Sequence, residues 1–321
     1  MCGEDPGQWG HSMANLSEIL LPVLEVAGIR SLAEVGALAG DLTAILLEWA
    51  EPRGVRIAAV DPTPQPELVE LASRHEELRL EQATSIEAIP TMELPDAFIL
   101  DGDHNYFTVS EELRLIAERA SGPDAPLLVF HDVCWPHGRR DSYYAPERIP
   151  DEYRRTIAEG VGVGPGEAGL TYGGLPFKYV QEREGGERNG VLTAIEDFVS
   201  DRPDLDLAIV PLFFGLGVCW HREADYASAL RKLLGPFDRN PMLARVEWNR
   251  VQMLGASYVH RTEAAVLRRR NRRQEELLKE IEESTGLRAA ELVTRFRRNG
   301  HPGLRERIAI ELEASRNEPV Q

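Results

Sequence analysis

Cysteine is the first thing this sequence has little of. Among 321 residues there are three, Cys2, Cys134 and Cys219, spread far apart. So odd and sparse a set excludes a disulfide framework, and no C-x-x-C spacing marks a metal site. Basic charge is short as well: 36 Lys and Arg stand against 53 Asp and Glu, a net charge of -17. That balance argues against bulk nucleic acid as the main partner, because phosphate binding needs a basic surface. No apolar run approaches the roughly 20 residues that span a bilayer, so no membrane partner is expected. Residues 1–6 show neither a basic n-region nor an apolar h-region, and a reducing cytoplasm is the default location. The dinucleotide fingerprint G-x-G-x-x-G is also incomplete. Gly36 and Gly40 are separated by Ala37, Leu38 and Ala39, so the second glycine, which lets backbone approach a pyrophosphate, is missing.

What is present begins with an apolar fraction of 43%, ordinary for a globular core and incompatible with a disordered chain. Apolar residues at helical spacing (Leu16, Ile19, Leu20, Val23, Leu24) predict a helix over 13–27, stopped by Gly28. Strand patterns at 32–35, 56–60, 78–82, 97–100 and 127–130 then alternate with helical ones at 41–49, 67–74, 85–89 and 109–120. This alternation implies a parallel sheet with helices on both faces. After Phe130 the rhythm breaks. Residues 131–189 are rich in Gly, Pro, Tyr and Arg, and an irregular segment of that length is usually a functional lid or an excursion. A helix at 190–200 follows, then apolar runs at 207–211 and 215–220, close enough to pair as antiparallel edge strands. The expected fold is therefore α/β: a Rossmann-like, doubly wound, seven-strand mixed sheet with a long insertion after strand five and a C-terminal helical extension. The domain reading is 1–222, with 131–189 as an acceptor-binding insertion, and a charged helical extension at 223–321.

In that extension Val246, Trp248, Val251, Met253 and Leu254 support an amphipathic helix, and five arginines between 268 and 273 precede an acidic run. The arginines read as a solvated helix face rather than a nucleic-acid patch. A homo-oligomer through these helices is the partner reading.

Chemistry concentrates where strands end. Residues 31–43 read as a buried strand, a glycine-bearing turn and the first turn of an apolar helix, which leaves a crevice at the strand's C-terminal edge. Glu34 aims a carboxylate near it. Asp61 closes the next apolar run roughly 20 residues after the turn, where an acid grips a ribose hydroxyl pair. Asp101, Asp103 and His104 follow the fourth strand, and His131 and Asp132 the fifth, so all converge on one crevice if the strands hold. Each alone has a plainer reading, an Asp as a helix cap or a His as a structural residue.

The pattern E-V-G-x-x-x-G-x-x-T over 34–43 resembles motif I of class I S-adenosylmethionine-dependent methyltransferases. D-G-D-H-x-Y at 101–106 and H-D-V at 131–133 resemble the small-molecule and sugar O-methyltransferases of the macrocin O-methyltransferase and cephalosporin-hydroxylase-like type. Residues 189–198 and 215–218 are similar to that group's last helix and final strands, so the resemblance covers 16–220. It implies S-adenosylmethionine as cofactor, with Glu34, Gly36, Ala37, Gly40 and Thr43 around its methionine part. It further implies Asp61 on the ribose, Thr84 and Ser85 at the adenine, and Asp101 near the sulfonium or on a metal. Metal-dependent relatives place ligands after strands four and five, which implies Asp101, His131 and Asp132 here. The histidine departs from the usual acid or amide and suits Mg²⁺ poorly, since Mg²⁺ prefers oxygen. A metal-free site with His104 or His131 as base, beside Asp132, stays equally open.

The expected reaction is methyl transfer to a hydroxyl of a small molecule, a glycoside or another natural product. Trp135, Tyr143, Tyr144, Tyr172 and Phe177 offer apolar faces for such an acceptor, and Arg139 and Arg140 offer hydrogen bonds. An N-methyltransferase, a nicotinamide-dependent oxidoreductase and a non-catalytic partner subunit are the other readings.

Overall fold

A computed structural model describes residues 10–286, 289–290, 303–304 and 306–310, so Cys2 lies outside the described residues. The chain divides into two compact units, Met1–Tyr258 and Val259–Gln321. Nine strands are described: β1 (Ser31–Val35), β2 (Arg56–Val60), β3 (Leu78–Glu81), β4 (Ala97–Leu100), β5 (Leu127–Phe130), β6 (Ile157–Val163), β7 (Leu175–Gln181), β8 (Leu205–Val210) and β9 (Leu216–His221). The helices are α1 (Ser17–Val26), α2 (Asp41–Ala50), α3 (Pro66–Arg74), α4 (Ser85–Ala88), α5 (Tyr106–Arg119), α6 (Val191–Ser200), α7 (Ala227–Leu234) and α8 (Pro241–Glu283). Seven strands form one sheet in the order β3-β2-β1-β4-β5-β9-β8. β1 to β5 are parallel, and β9 runs antiparallel to both β5 and β8. The doubly wound mixed sheet expected from the alternation is the sheet observed.

The central strands are short, apolar and buried on both faces, as parallel strands covered by helices must be. Their side chains alternate between two cores. Leu32, Ala97, Ile99, Leu127 and Val129 pack toward a core shared with α1, α2 and α7. Ala33, Val35, Phe98, Leu100, Leu128 and Phe130 pack toward a second core, shared with α5 and α6. Register then fixes the edge. Val35 pairs with Val60 and with Leu100, and Leu100 pairs with Phe130. The next residues, Gly36, Asp61, Asp101 and His131, leave the sheet side by side. Strand order reverses between β1 and β4, the switch point where open α/β sheets bind ligands.

Three details differ from the sequence reading. First, β9 lies between β5 and β8 and is wholly buried, so of this pair only β8 is an edge strand. Second, residues 131–189 contain the antiparallel pair β6–β7. Glycines at 160 and 162 and Pro176 mask the pattern, since both residue types are depleted in strands. Third, of the apolar residues expected to face inward after residue 240, Val251 is buried, whereas Val246, Trp248 and Met253 are exposed. Core packing also continues past residue 222, because Leu230 and Leu234 of α7 are fully buried. The five arginines of 268–273 are exposed. Among the described residues no helix is long and apolar enough to cross a membrane.

Candidate active site

Glu34 stands on β1 with 2% of its surface exposed, and its Oε2 accepts a 2.7 Å hydrogen bond from Thr43 Oγ1 on α2. Burial pushes this carboxyl up to about 8, against the Thr43 hydrogen bond and with help from the neighbouring Asp101 and Asp61 charges. Buried beside other acids, it favours its protonated form. The turn after it depends on glycine. Gly36 has φ +87°, and a Cβ there would lie 2.1 Å from the Asp101 carbonyl oxygen. Gly40, at φ +86°, precedes α2. Ala37 and Thr43 are buried.

Asp61 leaves β2 beside that turn. Its Oδ2 accepts from the Leu38 N–H and its Oδ1 from the Thr63 N–H, both at 2.8 Å. Each oxygen keeps a second lone pair, so the carboxylate is aimed and still able to accept from a diol. Thr84 and Ser85 follow β3 as expected, but the Thr84 hydroxyl is engaged in a capping box with Glu87 at the start of α4. Ser85 is buried beside Glu112.

The second half of the crevice is imidazole and carboxylate. Asp101 Oδ1 lies 3.1 Å from His131 Nδ1, and Asp132 Oδ2 lies 3.6 Å from the same nitrogen. His131 Nε2 donates to the Phe213 carbonyl at 2.8 Å. Burial, the largest influence, opposes a charge on this ring, yet Asp101 and Asp132 together outweigh it and hold His131 up to about 10. His131 is thus an imidazolium at neutral pH with both N–H groups committed, a poor proton acceptor. His104 differs. Its Nδ1 is 3.1 Å from Asp132 Oδ2, its side chain is mostly buried, and its ring lies 5.9 Å from that of the exposed Tyr144. Asp132 itself sits at φ +60°, an uncommon backbone for a residue with a Cβ. Burial pushes its carboxyl up, against the pull of His131 and His104. One ligand atom from each of Asp101, His131 and Asp132 can be chosen so that all three lie within 4.8 Å of one another. Asp101 and Asp132 offer the oxygen donors that Mg²⁺ prefers, and His131 supplies nitrogen, which suits a transition ion better.

Three residues escaped the sequence reading, and a fourth, Arg140, is engaged otherwise than expected. His137 lies 4.4 Å from His104, ring to ring, and its Nδ1 is 3.1 Å from Ser142 Oγ. Burial and then the adjacent His104 and His131 hold it well below the usual histidine range, so it is neutral. Nothing in the local sequence marks it. Glu112 on α5 is 2% exposed, its Oε1 has no hydrogen-bond partner, and burial raises its carboxyl to about 8. An acid within the apolar stripe Val109, Leu113 and Ile116 was the available signal. Glu247 on α8 accepts from the N–H groups of Phe213 and Phe214 at 3.0 and 2.8 Å. It thereby holds the tight turn (φ +48° and +67°) whose carbonyl anchors His131. Arg140, finally, is 1% exposed and donates to the carbonyls of Gln181, Glu182, Glu167, Ala168 and Gly169 at 2.8–3.3 Å. It staples the insertion and is not free for an acceptor. Arg139 is likewise engaged, by Glu196 and Thr193. Of the five aromatics, Tyr144 and Phe177 approach His104 and His137, Tyr143 is buried, and Tyr172 is largely exposed.

No protein-family model and no curated protein matches the chain. Among solved structures it is similar to a methyltransferase of Podospora anserina bound to S-adenosylhomocysteine. The identity is 12%, over 68% of this chain and 83% of that one, with a TM-score of 0.42. It is also similar to a methyltransferase of Geobacter sulfurreducens (11%, 69% and 91%, TM-score 0.38). A third is the 1,6-didemethyltoxoflavin N1-methyltransferase of Burkholderia thailandensis (17%, 66% and 78%, TM-score 0.36).

Proposed function

We propose that this chain is an S-adenosylmethionine-dependent methyltransferase that acts on a hydroxyl of a small molecule, a glycoside or another natural product. One observation carries the reading: the switch point of the sheet brings a buried acid, a turn with no room for a Cβ, and a diol-ready carboxylate to one rim. Glu34, with its charge withheld, suits the cationic methionine end of the cofactor. Gly36 lets the end of β4 close against the turn, and Asp61 suits the ribose. A nicotinamide dinucleotide fits less well, because Leu38 stands where the second glycine would let backbone approach a pyrophosphate. The bound cofactor supplies an already activated methyl group on sulfur.

What remains for the protein is to align the acceptor oxygen with that methyl and to remove its proton. Alignment contributes up to about 7–11 kcal/mol. A positioned base adds about 10²–10⁴-fold. His104 is that base in this reading, since His131 is already protonated and His137 is buried behind Ser142 and Phe177. Asp132 orients the His104 ring and stabilises its proton. An aliphatic hydroxyl is a weak acid and needs such a base, which favours oxygen over a free amine as the acceptor. Titration calorimetry with S-adenosylmethionine, S-adenosylhomocysteine and NAD tests the reading. Binding of the first two in the nanomolar-to-micromolar range, without NAD, is expected; binding of NAD alone defeats it.

A further inference from the structure

We propose that His104, Asp132 and His137 form a binding site for a divalent transition-metal ion of the Zn²⁺, Co²⁺ or Ni²⁺ class, and that loading it silences the base. A ring nitrogen of each histidine and a carboxylate oxygen of Asp132 lie within 4.8 Å of one another. The His104–Asp132 pair is already at 3.1 Å. Ligand atoms around a four-coordinate zinc are separated by roughly 3–3.5 Å, so small side-chain rotations close the set. Two imidazoles and a carboxylate select transition ions over Mg²⁺.

A second, independent observation points the same way. Asp132 is 4% exposed, and its Oδ1 has no hydrogen-bond partner. A buried carboxylate oxygen left unsatisfied costs about 1–3 kcal/mol or more, and its backbone is held at φ +60° besides. Ser142 completes the arrangement. With His137 Nδ1 donating to Ser142 Oγ at 3.1 Å, Nε2 is left bare, which is how an outer hydrogen bond selects the ligating nitrogen. The neighbouring charges permit a cation. The His131 imidazolium stands 3.6 Å from Asp132 and opposes it, but Asp101, 3.1 Å from His131, offsets that charge. Asp103, electrostatically coupled to His104, adds a further acid.

An ion here sits between His104 and Asp132 and engages the ring that the proposed reaction uses as its base. The binding claim stands without the methyl-transfer reading; only the loss of activity on loading rests on it.

The test uses the full-length, metal-stripped protein. Co²⁺ is titrated by visible absorption, and Zn²⁺ by competition with a chromophoric chelator. One equivalent is expected to bind wild type, and Asp101→Asn, which removes only the charge that offsets His131, is expected to bind more weakly but still measurably. His137→Asn is expected to lose more than the 10–100-fold that removal of an outer-shell partner costs. Ser142→Ala, a milder change that keeps the fold if His137→Asn does not, is expected to lose about 10–100-fold. Circular dichroism and cofactor calorimetry on the same samples show whether each variant is folded and whether the cofactor reading holds. The proposal is overturned if folded wild type binds neither ion. It is also overturned if equimolar Mg²⁺ displaces Co²⁺, if a folded His137→Asn or Ser142→Ala binds like wild type, or if Asp101→Asn abolishes binding. That last result would move the ion to the Asp101–His131–Asp132 group.

Discussion

The two halves of the crevice are built differently. The β1–β2 half, Glu34 to Asp61, is local: one strand, one turn, the start of one helix and the end of the next strand. Its geometry is set largely by backbone, through Gly36 against the Asp101 carbonyl and Asp61 against the Leu38 and Thr63 N–H groups. The β4–β5 half is assembled from distant chain. His104, Asp132 and His137 meet there, and His131 is fixed by Phe213, itself held by Glu247. A half made by backbone can be damaged by adding a single carbon; a half made by relayed side chains can be weakened from far away. The first is expected to govern cofactor affinity, the second turnover.

The largest effect should come from Gly36→Ala. A methyl 2.1 Å from a carbonyl oxygen forces β1 and β4 apart, and the positive φ adds strain of about 1–3 kcal/mol. Loss of detectable cofactor binding by calorimetry, with a lower Tm, is expected; near-normal affinity would break the claim that backbone shapes this half. Next comes a paired experiment. His104→Ala should lower kcat by about 10²–10⁴-fold with little change in cofactor Kd, whereas Asp61→Ala should mainly raise Kd. Equal loss of affinity in both removes the division of labour. Glu247→Ala should follow, since it strands two N–H groups, Phe214's being buried, at about 1–3 kcal/mol for each buried one. It should lower both Tm and kcat while leaving cofactor Kd unchanged, and an unaffected kcat would uncouple the turn from His131.

The last expected effect is a slope that leaves activity at neutral pH aside. Glu34 holds its proton in the native state up to about 8, whereas the unfolded chain loses it near 4.5. The native state binds the extra proton between those values, so stability of the cofactor-free protein falls as pH rises through that window. One group contributes about 1.4 kcal/mol per pH unit. Glu112 and the raised His131 act in the same direction. Glu34→Gln should flatten the fall by up to that amount in denaturant titrations at pH 5 to 8; an unchanged slope means Glu34 is ionised in the empty site.

The same contrast explains what was legible beforehand. β1, β2, β4 and β5 follow from largely apolar runs of four or five residues and β3 from alternation, and the ends of those runs are where Glu34, Asp61, Asp101 and His131 sit. Parallel register did the rest, because neighbouring strands that stop together present their next residues together. β6 and β7 were hidden by glycine and proline, whose propensity cost is overridden here by pairing and by the Arg140 staple. His137, Glu247 and the Phe213 carbonyl carry no local signature. Their roles exist only once distant segments meet, as in the bonds between His131 and Phe213, 82 residues apart, and between Phe213 and Glu247, 34 apart.

Glu247 also sets a limit on how far the protein can be shortened. It lies beyond the last sheet strand, on a helix that looks like an appendage, yet it braces the loop against which a central imidazole rests, and Leu254 and Tyr258 pack with the β6–β7 lobe. A fragment trimmed just after β9 would retain every strand while losing the prop behind its reactive centre. The smallest working piece of this chain should therefore reach Tyr258.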